Sequence, residues 1–190
     1  MEFLNKSEGL EDQIVDLFVS TFTASEGVDE GSLIGDLASN LLSSTLKDDI
    51  YVFTAFENGE AIGGAIFSRL AYSDDPRSVF ILSPMAIAPD RHGEGVGQAL
   101  LNYALSVLRD NGVAVAITYG DPVFYSKVGF QPLDEVTAAP PLPLSLPMGW
   151  IGQSLTDEPL HALQGKSTCV AALNNPASLY IGDDGTCQPP

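Results

Sequence analysis

Ile81-Leu82-Ser83-Pro84-Met85-Ala86-Ile87-Ala88-Pro89-Asp90-Arg91-His92-Gly93-Glu94-Gly95-Val96-Gly97-Gln98-Ala99-Leu100-Leu101 joins a strand to a helix through a glycine-rich turn. Its first part is an apolar, β-rich run, and its last part opens an amphipathic helix. Gly93, Gly95 and Gly97 stand at alternate positions, where the missing Cβ lets the backbone curl with its N–H groups pointing inward. The helix that follows adds amides without intrahelical partners and the positive end of its dipole. A turn of this kind holds a pyrophosphate without a lysine. Pro84 adds a second feature, because a proline within an apolar strand deletes a ladder hydrogen bond. The strand is therefore expected to bulge or to part from a neighbour at that point. A parted strand offers backbone donors and acceptors to an amide-rich ligand arm just upstream of the phosphate turn.

Three phosphate-binding patterns compete for the turn. A P-loop ends in Gly-Lys-Ser/Thr, whereas Gly97 is followed by Gln98-Ala99, which excludes it. A dinucleotide fingerprint asks for Gly or Ala where Gln98 stands, and for a βαβ unit opening the fold; both fit poorly. The pattern Gln/Arg-x-x-Gly-x-Gly/Ala fits best, as His92-Gly93-Glu94-Gly95-Val96-Gly97. The bland alternative is a glycine-rich loop that binds nothing.

Working outward, Met1 to Leu4 reads as a short edge strand. Leu10, Ile14, Leu17, Phe18 and Phe22 recur at helical spacing, and so do Leu33, Ile34, Leu37, Leu41 and Leu42. Glu26 to Gly31 between them reads as a loop. Ile50–Phe56 and Ala61–Leu70 read as strands around an Asn58-Gly59 hairpin turn. Ser73-Asp74-Asp75-Pro76 marks a turn before a third strand, Val79–Ile87. The helix over Gly95–Arg109 stops at Asn111-Gly112, and Val113–Thr118 is a buried strand. A short helical stretch follows Gly120-Asp121-Pro122, with strands near Phe130 and Trp150. The stretch from Pro140 to Pro147 is too rich in proline for a helix or a central strand and reads as a surface loop. The tail after Ile181 is polar and is expected to be loosely ordered. This order of elements predicts an α/β (α+β) fold around one mixed sheet.

The length of 190 residues fits one domain over residues 1–190, with a core over 1–135 and a Pro-rich loop with C-terminal strands and a helix over 136–190. Hydrophobic residues make up 45% of the chain, a globular composition. No apolar run has the length of a membrane span, and the N-terminus lacks a basic patch followed by an apolar stretch, so a cytoplasmic protein without membrane association is expected. Cys169 and Cys187 stand near no His or Cys cluster. They are expected to be reduced thiols rather than a bridge or metal ligands. The net charge is −17 with only 8 Lys and Arg residues, which argues against a nucleic-acid partner. The charge suits attraction of a cationic amine, and equally a merely solvated acidic surface. A homodimer is compatible with the sequence and not required by it.

Two stretches together resemble the GNAT superfamily of N-acetyltransferases, and within it the YhbS-like branch. One is Leu82-Ser83-Pro84-Met85-Ala86-Ile87 with the turn after it; the other is Gly120-Asp121-Pro122-Val123-Phe124-Tyr125-Ser126-Lys127-Val128-Gly129-Phe130. Met148-Gly149-Trp150-Ile151-Gly152-Gln153 and the Leu160–Gly165 segment are similar to the branch's C-terminal part. The resemblance implies a mostly antiparallel sheet with a splayed pair of parallel strands and flanking helices. It implies acetyl-CoA as co-substrate, without a metal, in the cleft between the strand ending at Ile87 and the Val113–Thr118 strand. Backbone groups of Met85 and Ile87, with Ala86 between them, would pair with pantetheine. His92, Gly93, Glu94, Gly95, Val96, Gly97 and Gln98 would surround the pyrophosphate, and Phe124 would border the coenzyme.

Tyr125 stands at the family's general-acid position. A phenol suits that role because its pKa lies near that of the coenzyme thiol. Lys127 is expected to be exposed. His92 takes a place usually held by Gln or Arg, and Ile81 stands where the histone-modifying branch has its glutamate base. Glu26, Asp29 and Glu30 are candidates to line the acceptor site. The resulting expectation is transfer of an acetyl group to the primary amine of a small molecule. The alternatives are a protein lysine or N-terminal amine as acceptor, a silent acyl-CoA-binding sensor, and a nucleotide-binding protein.

Overall fold

A computed structural model describes residues 1–174 of the chain. The polar tail after Ile181 and Cys187 lie outside the described residues. The elements run β1 (Glu2–Asn5), α1 (Glu11–Glu26), α2 (Val28–Ser44), β2 (Ile50–Glu57), β3 (Glu60–Tyr72), β4 (Val79–Ile87), α3 (Val96–Asp110), β5 (Val115–Tyr119), α4 (Pro122–Tyr125), β6 (Gln131–Pro132), β7 (Trp150–Ser154) and β8 (Ser167–Cys169). They form one mixed sheet in the order β1-β2-β3-β4-β5-β7-β6, with β8 beside β3. The pair β4–β5 is parallel, while β1–β2, β3–β8, β5–β7 and β6–β7 are antiparallel. The mixed sheet, its parallel pair and the flanking helices agree with the fold class read from the sequence.

The chain divides into two compact units. Of the described residues, the first comprises Met1–Phe67 and Ser83–Ala104, and the second Ser68–Leu82 and residues 105–174. In the first unit the Asn58-Gly59 turn has positive φ at both residues, 54° and 87°, as a tight two-residue hairpin demands. Neighbouring glycines on β3 show how helices approach the sheet. A Cβ on Gly64 would lie 3.3 Å from the Phe18 ring of α1, whereas one on Gly63 would lie 2.7 Å from Ile87 Cδ1 and 3.4 Å from Leu100 of α3. Successive residues of a strand face opposite sides, so α1 and the start of α3 cover opposite faces of β3. Ile14, Phe18, Leu41, Phe53, Ile66 and Phe67 fill this unit's interior. Phe53 meets Phe67 and Tyr103 edge-on at 5.8 and 6.0 Å between centroids.

The second unit is centred on Trp150 and Phe130, both fully buried. The indole N–H of Trp150 donates to the Ala138 carbonyl at 2.8 Å, and the Tyr72 hydroxyl donates to the Ala139 carbonyl at 2.9 Å. Two bulky rings thereby anchor the start of the Pro-rich loop, which carries no helix or strand up to Leu146.

One expectation changes. The Glu26–Gly31 loop does not exist: α1 ends at Glu26, α2 begins at Val28, and the single residue Gly27 turns the chain at φ 98°. Glycine reaches this conformation without a Cβ clash, so one residue suffices where several polar ones read as a loop. Among the described residues beyond 136 the chain has 3-10 turns at Pro147–Gly149 and Ala171–Leu173, and the rest of the segment expected to carry a C-terminal helix lies outside the described residues.

Candidate active site

In the first unit the glycine-rich turn follows β4 directly. The Ala88 N–H donates to the Ile62 carbonyl of β3 at 2.9 Å. Peptide groups alternate sides along a strand, so those of Met85 and Ile87 are directed away from β3. Met85, Ala86 and Ile87 all have buried side chains. β4 pairs with β5 over its first four residues only, from Val79↔Val115 to Leu82↔Thr118. Pro84, which has no N–H to give, comes two residues later, after a cis Ser83–Pro84 bond.

The turn itself is shaped by left-handed glycines, with φ 80° at Gly93 and 79° at Gly95. A Cβ on either would meet nothing within 4 Å, so conformation and not space requires glycine there. Val96 and Gly97 are buried at the start of α3, and Gln98 is half-buried. The Ala99 N–H donates to the Gly95 carbonyl at 3.0 Å, so the amides of Val96, Gly97 and Gln98 precede the helical ladder. A turn that pairs open left-handed glycines with these amides fits a diphosphate.

His92 has a use the sequence did not disclose. Its Nε2 lies 2.8 Å from the Ile87 carbonyl and donates to it, tying the turn back to the strand end. The Ile87 carbonyl is therefore already engaged, which narrows the expected pantetheine contact at that residue. Arg91 likewise carries no signal in the sequence that marks it as part of the site. Its Nη1 donates to Glu57 of β2 at 2.6 Å, and its Nε to Glu94 of the turn at 2.9 Å. The guanidinium holds the Glu57 carboxyl below its ordinary range, and the two carboxylates raise the arginine in turn.

In the second unit the other motif forms a tight structure. Asp121 caps the four-residue helix α4, its carboxylate accepting the Val123 N–H at 2.8 Å, and Pro122 occupies the first helical position. A 3-10 turn over Ser126–Val128 follows and ends at Gly129, with φ 98°. The Phe130 N–H returns to the Tyr125 carbonyl at 3.2 Å. The Tyr125 ring is 7% exposed and sits edge-on to Phe124 at 5.0 Å and to Phe130 at 5.5 Å. Gly120 makes room for it, because a Cβ there would lie 2.6 Å from Tyr125 Cε2. Phe124 is buried and Lys127 exposed. Ile81 is wholly buried opposite Ile117, an apolar position with no base.

The acceptor candidates stand where helices meet. Glu26 ends α1, and Asp29 and Glu30 lie in the first turn of α2, where a carboxylate complements the helix dipole. Asp29 and Glu30 thus have a structural reason to be acidic that a loop would not have given them. Among the described residues no group of three or more His, Cys, Asp or Glu could hold a metal ion, and no helix is long and apolar enough to cross a membrane.

A family model for the acetyltransferase (GNAT) domain matches residues 48–132, from the entry to β2 through β6, and so takes in both motifs. YjhQ of Escherichia coli K12, an uncharacterized N-acetyltransferase, is 31% identical over 139 residues, covering 70% of this chain and 76% of YjhQ. The chain belongs to the GNAT family of N-acetyltransferases. Solved structures share its fold. A GNAT family acetyltransferase from Brucella melitensis, in complex with acetyl-CoA, superposes with a TM-score of 0.70 at 20% identity, covering 91% of this chain and 97% of that one. YhbS of Escherichia coli, in complex with CoA, superposes with a TM-score of 0.71 at 21% identity, covering 92% of each chain.

Proposed function

We propose that the protein moves an acetyl group from acetyl-CoA to a primary amine of a small molecule. The observation that carries this reading is the run from Met85 to Gln98: a strand end whose alternate peptide groups turn away from β3, followed at once by two left-handed glycines and a helix start. That succession suits a ligand with an amide-bearing arm joined to a diphosphate. Two solved relatives of the same fold hold acetyl-CoA or CoA, which supports the same ligand here. Bound acetyl-CoA supplies an activated thioester carbonyl.

In this reading the backbone of Met85 and the N–H of Ile87 line up the pantetheine arm beside Ala86, the Ile87 carbonyl staying with His92, and the amides from Gly93 to Gln98 hold the diphosphate, with His92, Glu94 and Val96 shaping the turn. Phe124 borders the coenzyme. The neutral amine nitrogen attacks the thioester carbon; the N–C bond forms, the C–S bond breaks, and the amine gives up one proton to water or a base. Tyr125 gives its phenolic proton to the leaving thiolate and regains one from solvent. No carboxylate stands at Ile81, so the amine proton leaves by another route. Glu26, Asp29 and Glu30 add to an acidic surface that draws a cationic amine.

The test is a thermal shift with acetyl-CoA, followed by a CoA-release assay over primary amines and lysine peptides. Binding to the folded state alone must raise its stability, so a rise in melting temperature with acetyl-CoA, larger than with ATP or NAD, is expected. No shift at saturating ligand overturns the coenzyme, and turnover on peptides alone overturns the small-molecule acceptor.

A further inference from the structure

An acidic residue is out of place in an anion-binding turn, and this turn has one at its centre. Glu94 stands between the two left-handed glycines, on an otherwise acidic protein, and its side chain is 52% exposed. A bare carboxylate there would oppose a diphosphate within a few ångströms. The Glu94 carboxylate is not bare, because Arg91 binds it through Nε at 2.9 Å. The same guanidinium reaches back through Nη1 to Glu57 at 2.6 Å, on the last residue of β2. Arg91 is only 24% exposed, held between a strand end and the turn.

Resting on the coenzyme reading above, we propose that Arg91 is a positioning residue for the anion site: braced on Glu57, it turns the Glu94 carboxylate aside and neutralises it, so that the turn accepts a diphosphate. Arg91 acts through Glu94 and not by touching the phosphates. The two roles differ in what removal of Glu94 does. If Arg91 only cancels Glu94, then losing both charges together restores the site. If Arg91 binds phosphate itself, losing Glu94 cannot replace it.

The experiment is isothermal titration with CoA, at low ionic strength, of the wild-type protein and of Arg91→Met, Glu94→Gln and the double variant. Arg91→Met keeps the aliphatic stem, and its melting temperature without ligand checks that the fold persists. Arg91→Met should weaken CoA binding about tenfold, since an uncompensated carboxylate then faces the anion. The double variant should return to within about threefold of wild type, and Glu94→Gln alone should bind at least as tightly as wild type. A double variant as weak as Arg91→Met overturns the proposal in favour of direct contact or a purely structural role. An Arg91→Met protein that binds like wild type overturns it as well. A wild-type protein that binds no CoA removes the coenzyme reading and this inference with it.

Discussion

Tyr125 is held by its surroundings more than by its own helix. Gly120 leaves the room its ring occupies, Phe124 and Phe130 meet it edge-on, and the Phe130 amide ties the chain back to its carbonyl. The two substitutions that probe it therefore differ in kind. Tyr125→Phe removes only the hydroxyl and keeps the ring contacts with Phe124 and Phe130, so CoA affinity should hold. The kcat should fall about 10²-fold, the scale of one general acid. Unchanged turnover would place the acid elsewhere. Gly120→Ala keeps the hydroxyl but puts a methyl 2.6 Å from the ring, so the ring must move. It should lower both kcat and melting temperature, by about 1–3 kcal/mol of stability as for other overpacked sites. Stability and turnover that both match wild type would show that the ring's position is not needed.

At the scale of elements, the turn before α3 depends on two residues in a conformation that L side chains avoid. Gly95→Ala should cost about 1–2 kcal/mol, because alanine must take a φ near 79°. Its KM for acetyl-CoA should rise more than its kcat falls, which steady-state kinetics would separate. The β3–β4 connection shows a second element-scale device. The Asp75 carboxylate, 4% exposed, accepts from Arg77 Nε at 2.8 Å and Nη2 at 2.6 Å, and from the Gln164 amide at 3.0 Å. Arg77 in turn donates to the carbonyls of His161 and Ala162 at 2.9 and 2.8 Å. A strand connection thereby clasps a segment over 80 residues away, in the same unit.

Arg77 holds the Asp75 carboxyl well below the usual carboxylate range. A depressed folded-state pKa contributes stability that is fully present above the unfolded value of about 4 and is lost as pH falls through the folded one. Melting temperature should therefore drop below about pH 4, and Asp75→Asn should flatten that part of the profile. The same variant should lose about 2 kcal/mol at neutral pH, because Arg77 keeps its burial and loses its counter-charge. An unaltered acid limb would show that the clasp is not what acid disrupts.

At the scale of the whole molecule, the charge of −17 sets two opposite electrostatic tasks. It opposes the approach of an anionic coenzyme and would favour that of any cationic acceptor. Salt screens both over a Debye length of about 10 Å at 0.1 M. Raising ionic strength from about 20 to about 200 mM should therefore tighten acetyl-CoA binding and raise the KM for a cationic acceptor. The local amides of the turn act at contact distance and are screened least. If both constants moved the same way, the net charge would not govern either encounter.

What the sequence determined by itself was whatever local physics decides. The change from helical to alternating apolar spacing located the elements, Asn58-Gly59 fixed a hairpin because both residues take positive φ, and Gly93 and Gly95 marked the turn for the same reason. The Gly120–Phe130 motif likewise folds on itself, so it could be read at short range. Four features belonged to the tertiary structure alone. Gly27 replaced a loop of charged residues, because helix packing favoured a one-residue turn over the polar pattern. β8 is only three residues, Ser167-Thr168-Cys169, too short to show an alternating pattern, and it pairs with Leu70, Ala71 and Tyr72 at the end of the long β3. The Ile87 carbonyl is taken by His92, and Glu94 is answered by an arginine that is anchored on Glu57, 34 residues away. A residue's period and propensity are properties of its neighbours in the chain. Its hydrogen-bond partner across a sheet or turn is fixed only when packing brings distant backbone together, and no spacing rule records that.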